Sequence, residues 1–228
     1  MLPIHDDSRR PASFPLCTGA LIAINVYVFL HQFSLDAFSA NDFVYVYGFV
    51  PSRFHWHVVS SWLPIFTSLF IHAGWLHIIG NMVYLWVFGP NIEDLLGRGK
   101  FLIFYLLCGA AAALAQCAVS PDSRIPQIGA SGAIFGILGA YLIKFPTSRI
   151  RIVAWFILLF SFELPAWLLL IWFLGLQFMS GVGSIADVQT QRGGVAYFAH
   201  IGGFFAGMML IFLMKTRDRA AGRHDLSW

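Results

Sequence analysis

The sequence predicts an all-α polytopic membrane protein. The expected bundle has six transmembrane helices, a short central fourth helix and both termini in the cytoplasm. Three observations carry that prediction. The 228 residues are 58% hydrophobic and 11% charged, with a mean hydropathy of +0.73. Soluble domains carry about 25% charged residues, so lipid must solvate much of this surface. Six apolar stretches, 14–33, 75–87, 101–119, 131–145, 152–178 and 195–214, reach or approach the roughly 20 helical residues that span a hydrocarbon core. With the N-terminus inside, the cytoplasmic segments collect Arg9, Arg10, Arg98, Lys100, Lys144, Arg149, Arg151, Lys215, Arg217, Arg219 and Arg223, and the outer ones Arg53, Arg124 and Arg192. Eleven against three is a strong positive-inside bias, which one span more or fewer would scramble.

Each stretch has its own signals. Arg9 and Arg10 precede the first as in a signal peptide, but no small-x-small cleavage site follows, so it is expected to remain as a helix. Residues 1–13 and 216–228 are then short cytoplasmic tails around a six-span domain at 14–215. The long loop 34–64 is rich in Phe, Trp, Tyr and Val, and its length calls for structure or a function of its own. Phe54, Trp56 and Val58 alternate with polar neighbours there, among them His55 and His57, as at a membrane interface. Gly74-Trp75 opens the second span with a tryptophan at interface level. The fourth span is short and lined by Gly132, Gly136, Gly139 and Ala140, which suits a helix packed on all sides. The fifth holds Glu163, the one acid deep in a span, just before Pro165, which is expected to kink the helix. A structural role is expected for Glu163, in a polar pair or along a cavity. Cys17, Cys108 and Cys117 lack ligand spacing and read as packing residues, with no disulfide framework, metal or cofactor expected. A formal charge of +3, scattered along the chain, gives no basis for nucleic-acid binding.

Polar residues inside apolar helices are costly and mark function. Counted from the cytoplasmic charges at 1.5 Å per residue, Ser131 lies about 20 Å up, His200 about 22 Å, Asn81 about 18 Å and His77 about 24 Å. Three helices thus deliver polar groups to one level, in the outer half of a core about 30 Å thick. Taken singly, each has a bland reading: Ser131 as a helix contact, Asn81 as interhelical glue, His200 as a hydrogen-bonded core residue. Their coincidence at one depth favours a single site. A serine hydroxyl becomes a nucleophile when a base takes its proton, neutral imidazole is the usual base, and the oxyanion formed needs donors. His77 and Asn81 share a helical face and can both point at that charge, and the Ser131 backbone amide can add a donor. Phe135, one turn after Ser131, can stack on His200. Gly203 and Gly207 lie at i+3 and i+7 from His200, and with the glycines that line the serine helix they give two glycine faces that permit a close approach. No Asp is placed to orient the histidine, so a dyad is expected. His72 reads as a supporting hydrogen-bond partner at the mouth of the second span.

Three segments carry a family resemblance: His72-Ala-Gly-Trp-Leu-His77-Ile-Ile-Gly-Asn81, Gly129-Ala-Ser131-Gly132-Ala-Ile-Phe135-Gly136 and Ala199-His200-Ile-Gly-Gly203-Phe-Phe-Ala-Gly207. In order, spacing and span position they resemble the signatures of rhomboid intramembrane serine proteases, over about residues 14–215. The resemblance implies Ser131 as nucleophile, His200 as general base, His77 and Asn81 around the oxyanion, and Phe135 beneath the histidine, where relatives often have tyrosine; Gly129, two residues before Ser131, is expected to support the site. The tryptophan-arginine pair that many relatives carry in the first loop is not evident. The resemblance further implies cleavage of single-span membrane proteins near the outer face, in helix-destabilised segments. Lateral entry beside the kinked fifth helix is expected, with the first loop or the 181–194 loop moving. The compact form suggests a prokaryotic inner membrane. The alternatives are an inactive, client-binding relative of the family, or a small transporter using His77, Asn81, His200 and Glu163.

Overall fold

The computed structural model describes residues 2–7, 13–155, 159–186 and 196–217. Arg9, Arg10, Arg192, Arg219 and Arg223 lie outside the described residues, as does 187–194 of the expected moving loop. In chain order the elements are strand β1 (Leu2–Asp6), helices α1 (Leu16–Ser34), α2 (Ala37–Tyr47), α3 (Leu63–Thr67), α4 (Trp75–Leu96), α5 (Arg98–Val119) and α6 (Ser131–Lys144), strands β2 (Arg149–Trp155) and β3 (Leu159–Pro165), and helices α7 (Ala166–Ala186) and α8 (Tyr197–Leu213).

Lipid-facing character is plain on the outside. Tyr27, Phe33, Leu76, Trp86, Phe212 and Leu213 are all exposed. Three described helices, Leu16–Ser34, Arg98–Val119 and Ala166–Gly183, are long and apolar enough to cross a membrane. A fourth crossing arises if Val59–Phe70 and Trp75–Leu96, which meet at 87°, form one bent span. The protein is therefore an integral membrane protein built mostly of helices.

The all-α expectation needs correction. β1, β2 and β3 form an antiparallel sheet in that order, with Ile150 opposite Leu164, Ile152 opposite Phe162 and Leu2 opposite Val153. The fifth span predicted at 152–178 is thus a hairpin followed by a helix. A continuous apolar run cannot by itself distinguish a buried strand from a helix. The distinguishing signal is the alternation Arg149-Ile150-Arg151-Ile152, whose isoleucines are buried and whose arginines are not. Pro165 consequently kinks no helix; it closes β3 one residue before α7 begins. Gly181 to Ala186, expected in a loop, are the last residues of α7. Sheet edges exposed to lipid are not tolerated in hydrocarbon, and the buried Ile150 and Ile152 pack this sheet into the main core of the protein.

Local chemistry fixes where the helices start. The Glu93 carboxylate near the end of α4 accepts hydrogen bonds from Cys17 N (2.9 Å), Thr18 N (2.8 Å) and Thr18 Oγ1 (2.8 Å). It supplies the cap that Pro15 cannot and ties α1 to α4. Asp36 caps α2 through Phe38 N and Ser39 N, and its bonds with Ser39 hold its carboxyl below the usual carboxylate range. The long first loop is ordered by an aromatic cluster: Phe54 meets Phe49, Trp56 and Trp62 at centroid distances of 5.6, 4.9 and 5.2 Å.

At the centre stands α6. Its 14 residues span about 21 Å, too short for a full crossing, and from Gly132 to Tyr141 every residue except Phe135 is buried. Its glycines sit where no side chain would fit. A methyl group on Gly132 would strike Ala112, one on Gly136 would strike Cys108, and one on Gly139 the Phe204 carbonyl. Across the interface, methyls on Gly203 and Gly207 would land on the carbonyls of Gly132 and Gly136. Backbone therefore meets backbone between α6 and α8. The pairings 132 with 203 and 136 with 207 make these helices parallel. Phe88 against Tyr141 at 4.9 Å, with His77 beside Gly129, makes α4 parallel to them as well. The N-terminal ends of α4, α6 and α8 thus lie together.

Candidate active site

Ser131 is the first residue of α6, and its position is set by Gly129. That glycine has φ +115°, a backbone conformation that residues with side chains rarely adopt, and a Cβ there would also fall onto His77 Nε2. Its N–H donates to Ser68 O at 2.9 Å, anchoring the turn to the first loop's end. As the start of a helix, the first turn of α6 presents backbone N–H groups without intrahelical partners.

His200 lies in the first turn of α8, 8% exposed. Ala196 offers this helix no side-chain cap; instead Gln116 Oε1 on α5 accepts from Phe198 N (3.1 Å) and Ala199 N (3.3 Å). The imidazole Nε2 is 2.8 Å from Ser131 Oγ, and Nδ1 is 2.9 Å from Gln177 Oε1 on α7. The Phe135 ring lies parallel to the imidazole, 4.3 Å away with a 4° interplanar angle. One face and both nitrogens of the histidine are therefore held, by Phe135 and Ser131 from α6 and by Gln177 from α7.

His77 and Asn81 sit one turn apart on α4. His77 Nδ1 accepts from the Ala73 N–H at 3.3 Å, which in a neutral ring leaves the proton on Nε2. That Nε2 is the atom that faces Gly129. Asn81 Nδ2 approaches the same place, 3.6 Å from where a Gly129 Cβ would be, and is buried without a hydrogen-bond partner among the described residues. Two donors thus converge beside the turn that carries Ser131, and one of them is buried and unpaired, a cost that native structures rarely accept without reason.

Other expected residues stand differently. His72 is fully buried, and its ring meets that of His77 edge-on at 5.0 Å; its hydrogen bonds run through its backbone, with Gln32. That ring contact places it next to His77, at the mouth of the span as expected. Glu163 is outside the site altogether, exposed on β3 and paired with Arg151 at 2.9 Å. It does have a polar partner, but the depth expected for it does not apply, because the hairpin takes the place of the first half of the predicted fifth span. His55 and His57 are exposed in the first loop. Gln116 and Gln177 join the site without a signal in the sequence. Amides carry no charge, and Gln177 lies beyond the hairpin, in a helix whose start no depth count from the apolar run can locate.

A family profile for the Rhomboid domain matches residues 59–217. The chain is similar to "Rhomboid protein 1, mitochondrial" of Saccharomyces cerevisiae, 32% identical over 180 residues, which covers 72% of this chain and 48% of that protein. It is similar to "Rhomboid-like protein 11, chloroplastic" of Arabidopsis thaliana, 25% identical over 226 residues, covering 96% and 73% of the two chains. "Rhomboid protease GluP" of Bacillus subtilis is 34% identical over 151 residues, covering 66% of this chain and 26% of its own. The matched segment is thus about half of the yeast protein and a quarter of the Bacillus one.

Proposed function

This chain belongs to the rhomboid family, and on that premise we propose that it is an intramembrane serine protease acting through Ser131 and His200. The observation that carries the reading is the 2.8 Å approach of His200 Nε2 to Ser131 Oγ between two buried, glycine-apposed helices. In the proposed reaction His200 Nε2 takes the Ser131 proton as Oγ attacks the scissile carbonyl carbon. The carbonyl oxygen becomes an oxyanion, which receives hydrogen bonds from His77 Nε2–H, Asn81 Nδ2–H and backbone N–H groups of the first α6 turn. The N-termini of α4, α6 and α8 add partial positive charge at the same end. Collapse of the intermediate breaks the C–N bond, and the imidazolium returns its proton to the leaving amine. Water, deprotonated by the same histidine, then hydrolyses the acyl-enzyme.

The architecture proposed for the bilayer has six membrane segments, α1, the bent α3–α4 pair, α5, α6, α7 and α8, of which α6 crosses only together with the chain leading into Ser131, with both termini cytoplasmic and the six-span domain at about 14–215. The site then faces the outer leaflet, and its substrates are single-span membrane proteins whose helix unwinds near that face. Unwinding is required because a helical peptide bond keeps its carbonyl engaged and offers no room for attack. Substrate enters laterally past α7, with no kink at Pro165. The prokaryotic inner membrane is the proposed setting, beside the mitochondrial and chloroplast ones in the relatives' names. Cleavage of a reporter with one transmembrane segment, in proteoliposomes, tests the reading. Wild type should cleave it, and Ser131→Ala and His200→Ala should not. A wild-type protein that cleaves no transmembrane reporter would leave client binding as the better reading.

A further inference from the structure

The nitrogen of His200 that does not face Ser131 has a partner on a different helix. Gln177 Oε1 of α7 lies 2.9 Å from His200 Nδ1. For Nε2 to accept the serine proton, the neutral ring must carry its own proton on Nδ1. Nδ1–H then needs an acceptor, and the amide oxygen of Gln177 is placed to be one. The reverse amide orientation, with the amide nitrogen donating to Nδ1, would put the ring proton on Nε2 and deny Ser131 its base. Phe135 sets the plane of the ring but cannot select the tautomer, because a stacked ring is indifferent to where the proton sits.

We propose that Gln177 is a positioning residue that fixes the Nδ1–H tautomer and the orientation of His200, so that the base is completed from α7 by an uncharged acceptor. The proposal rests on the protease reading of Ser131 and His200. It has a mechanical consequence. The face of α7 carrying Trp172, Leu176 and Met179 is exposed, and its contact with the dyad runs through Gln177. A sideways shift of α7 therefore withdraws the acceptor and switches the base off without touching Ser131.

The test compares wild type with Gln177→Leu and Gln177→Glu in cleavage of a transmembrane reporter, measuring kcat, KM and the pH profile. Ser131→Ala runs in parallel, and His77, the titratable neighbour of His200 on α4, is kept throughout. Leucine keeps the volume and removes the acceptor, and kcat should fall about 10- to 100-fold with KM within about twofold of wild type. Glutamate restores an acceptor, so kcat should recover. Its charge favours imidazolium, so the acid limb should move to higher pH. A purely packing role predicts no rescue by glutamate and no movement of the limb, and either result overturns the proposal, as does a Gln177→Leu protein with the wild-type kcat. Nitrogen-15 spectra of histidine-labelled protein check the tautomer without relying on turnover: Nδ1–H at His200 in wild type, and a mixture in Gln177→Leu. Residual cleavage by Ser131→Ala would instead strike the protease reading itself.

Discussion

Ser131 and His200 are an ordinary alcohol and an ordinary imidazole until their neighbours specify which atoms carry protons. His77 shows the same logic on the opposite side of the site. Its Nδ1 is committed to the Ala73 N–H, so its Nε2 is a donor, and Asn81 Nδ2 is a second donor without a partner among the described residues. Removing either should therefore cost transition-state stabilisation and not substrate binding. His77→Ala and Asn81→Ala should each lower kcat about 10²- to 10³-fold with little change in KM, measured by reporter cleavage. Gly129→Ala should lose activity comparably, because a methyl there meets both an unfavourable φ and the His77 ring. Much of this site is legible in the chain. Ser131 and Phe135, and His77 and Asn81, are pairs at i and i+4, and that spacing places each pair on one helical face wherever the helix lies. Gln177 is not legible, because its relevance depends on which way α7 faces α8, and no spacing within α7 encodes that.

Helices and strands obey two different kinds of signal. Helices whose ends carry a glycine, a proline or a charge can be placed within a few residues of their limits: the span expected at 101–119 is Arg98–Val119, and that expected at 131–145 is Ser131–Lys144. The hairpin Arg149–Pro165 is hidden inside an apolar run, since hydrophobicity alone outweighs a four-residue alternation. Its ion pair is a useful control. Arg151 and Glu163 are solvent-exposed partners, so Arg151→Ala and Glu163→Ala should each change stability by less than about 1 kcal/mol and leave cleavage intact. Loss of function in Glu163→Ala would instead favour a transporter in which that acid takes part. Glu93 is the opposite case. Buried and accepting from the start of α1, it should cost about 2 to 4 kcal/mol on replacement by alanine, seen as a lowered unfolding midpoint in detergent. Between α6 and α8, Gly207→Val should separate the backbones that bring His200 to Ser131. It should abolish activity and lower the midpoint together, since a side chain there lands on the Gly136 carbonyl.

Across the molecule, a chain with 11% charged residues places its polar groups where three helix N-termini meet and lets apolar side chains face lipid elsewhere. The short α6 is central to that arrangement. It is shorter than α4, α5, α7 and α8, and buried among its neighbours over nearly all its length; in the proposed architecture its first residue lies below the outer surface. The relatives from yeast, Arabidopsis and Bacillus match between 66% and 96% of this chain, which in turn covers between 26% and 73% of theirs. That is what a self-contained helical unit with its site inside would allow. If Ser131 is a nucleophile activated by His200, it should be the residue that a fluorophosphonate captures. Purified protein treated with that probe and then digested for mass spectrometry should show a single phosphonylated residue, Ser131. The adduct should form in wild type and be lost in His200→Ala, although the serine is still present. Adduct on another residue, or labelling of Ser131 at an undiminished rate in His200→Ala, would contradict the dyad.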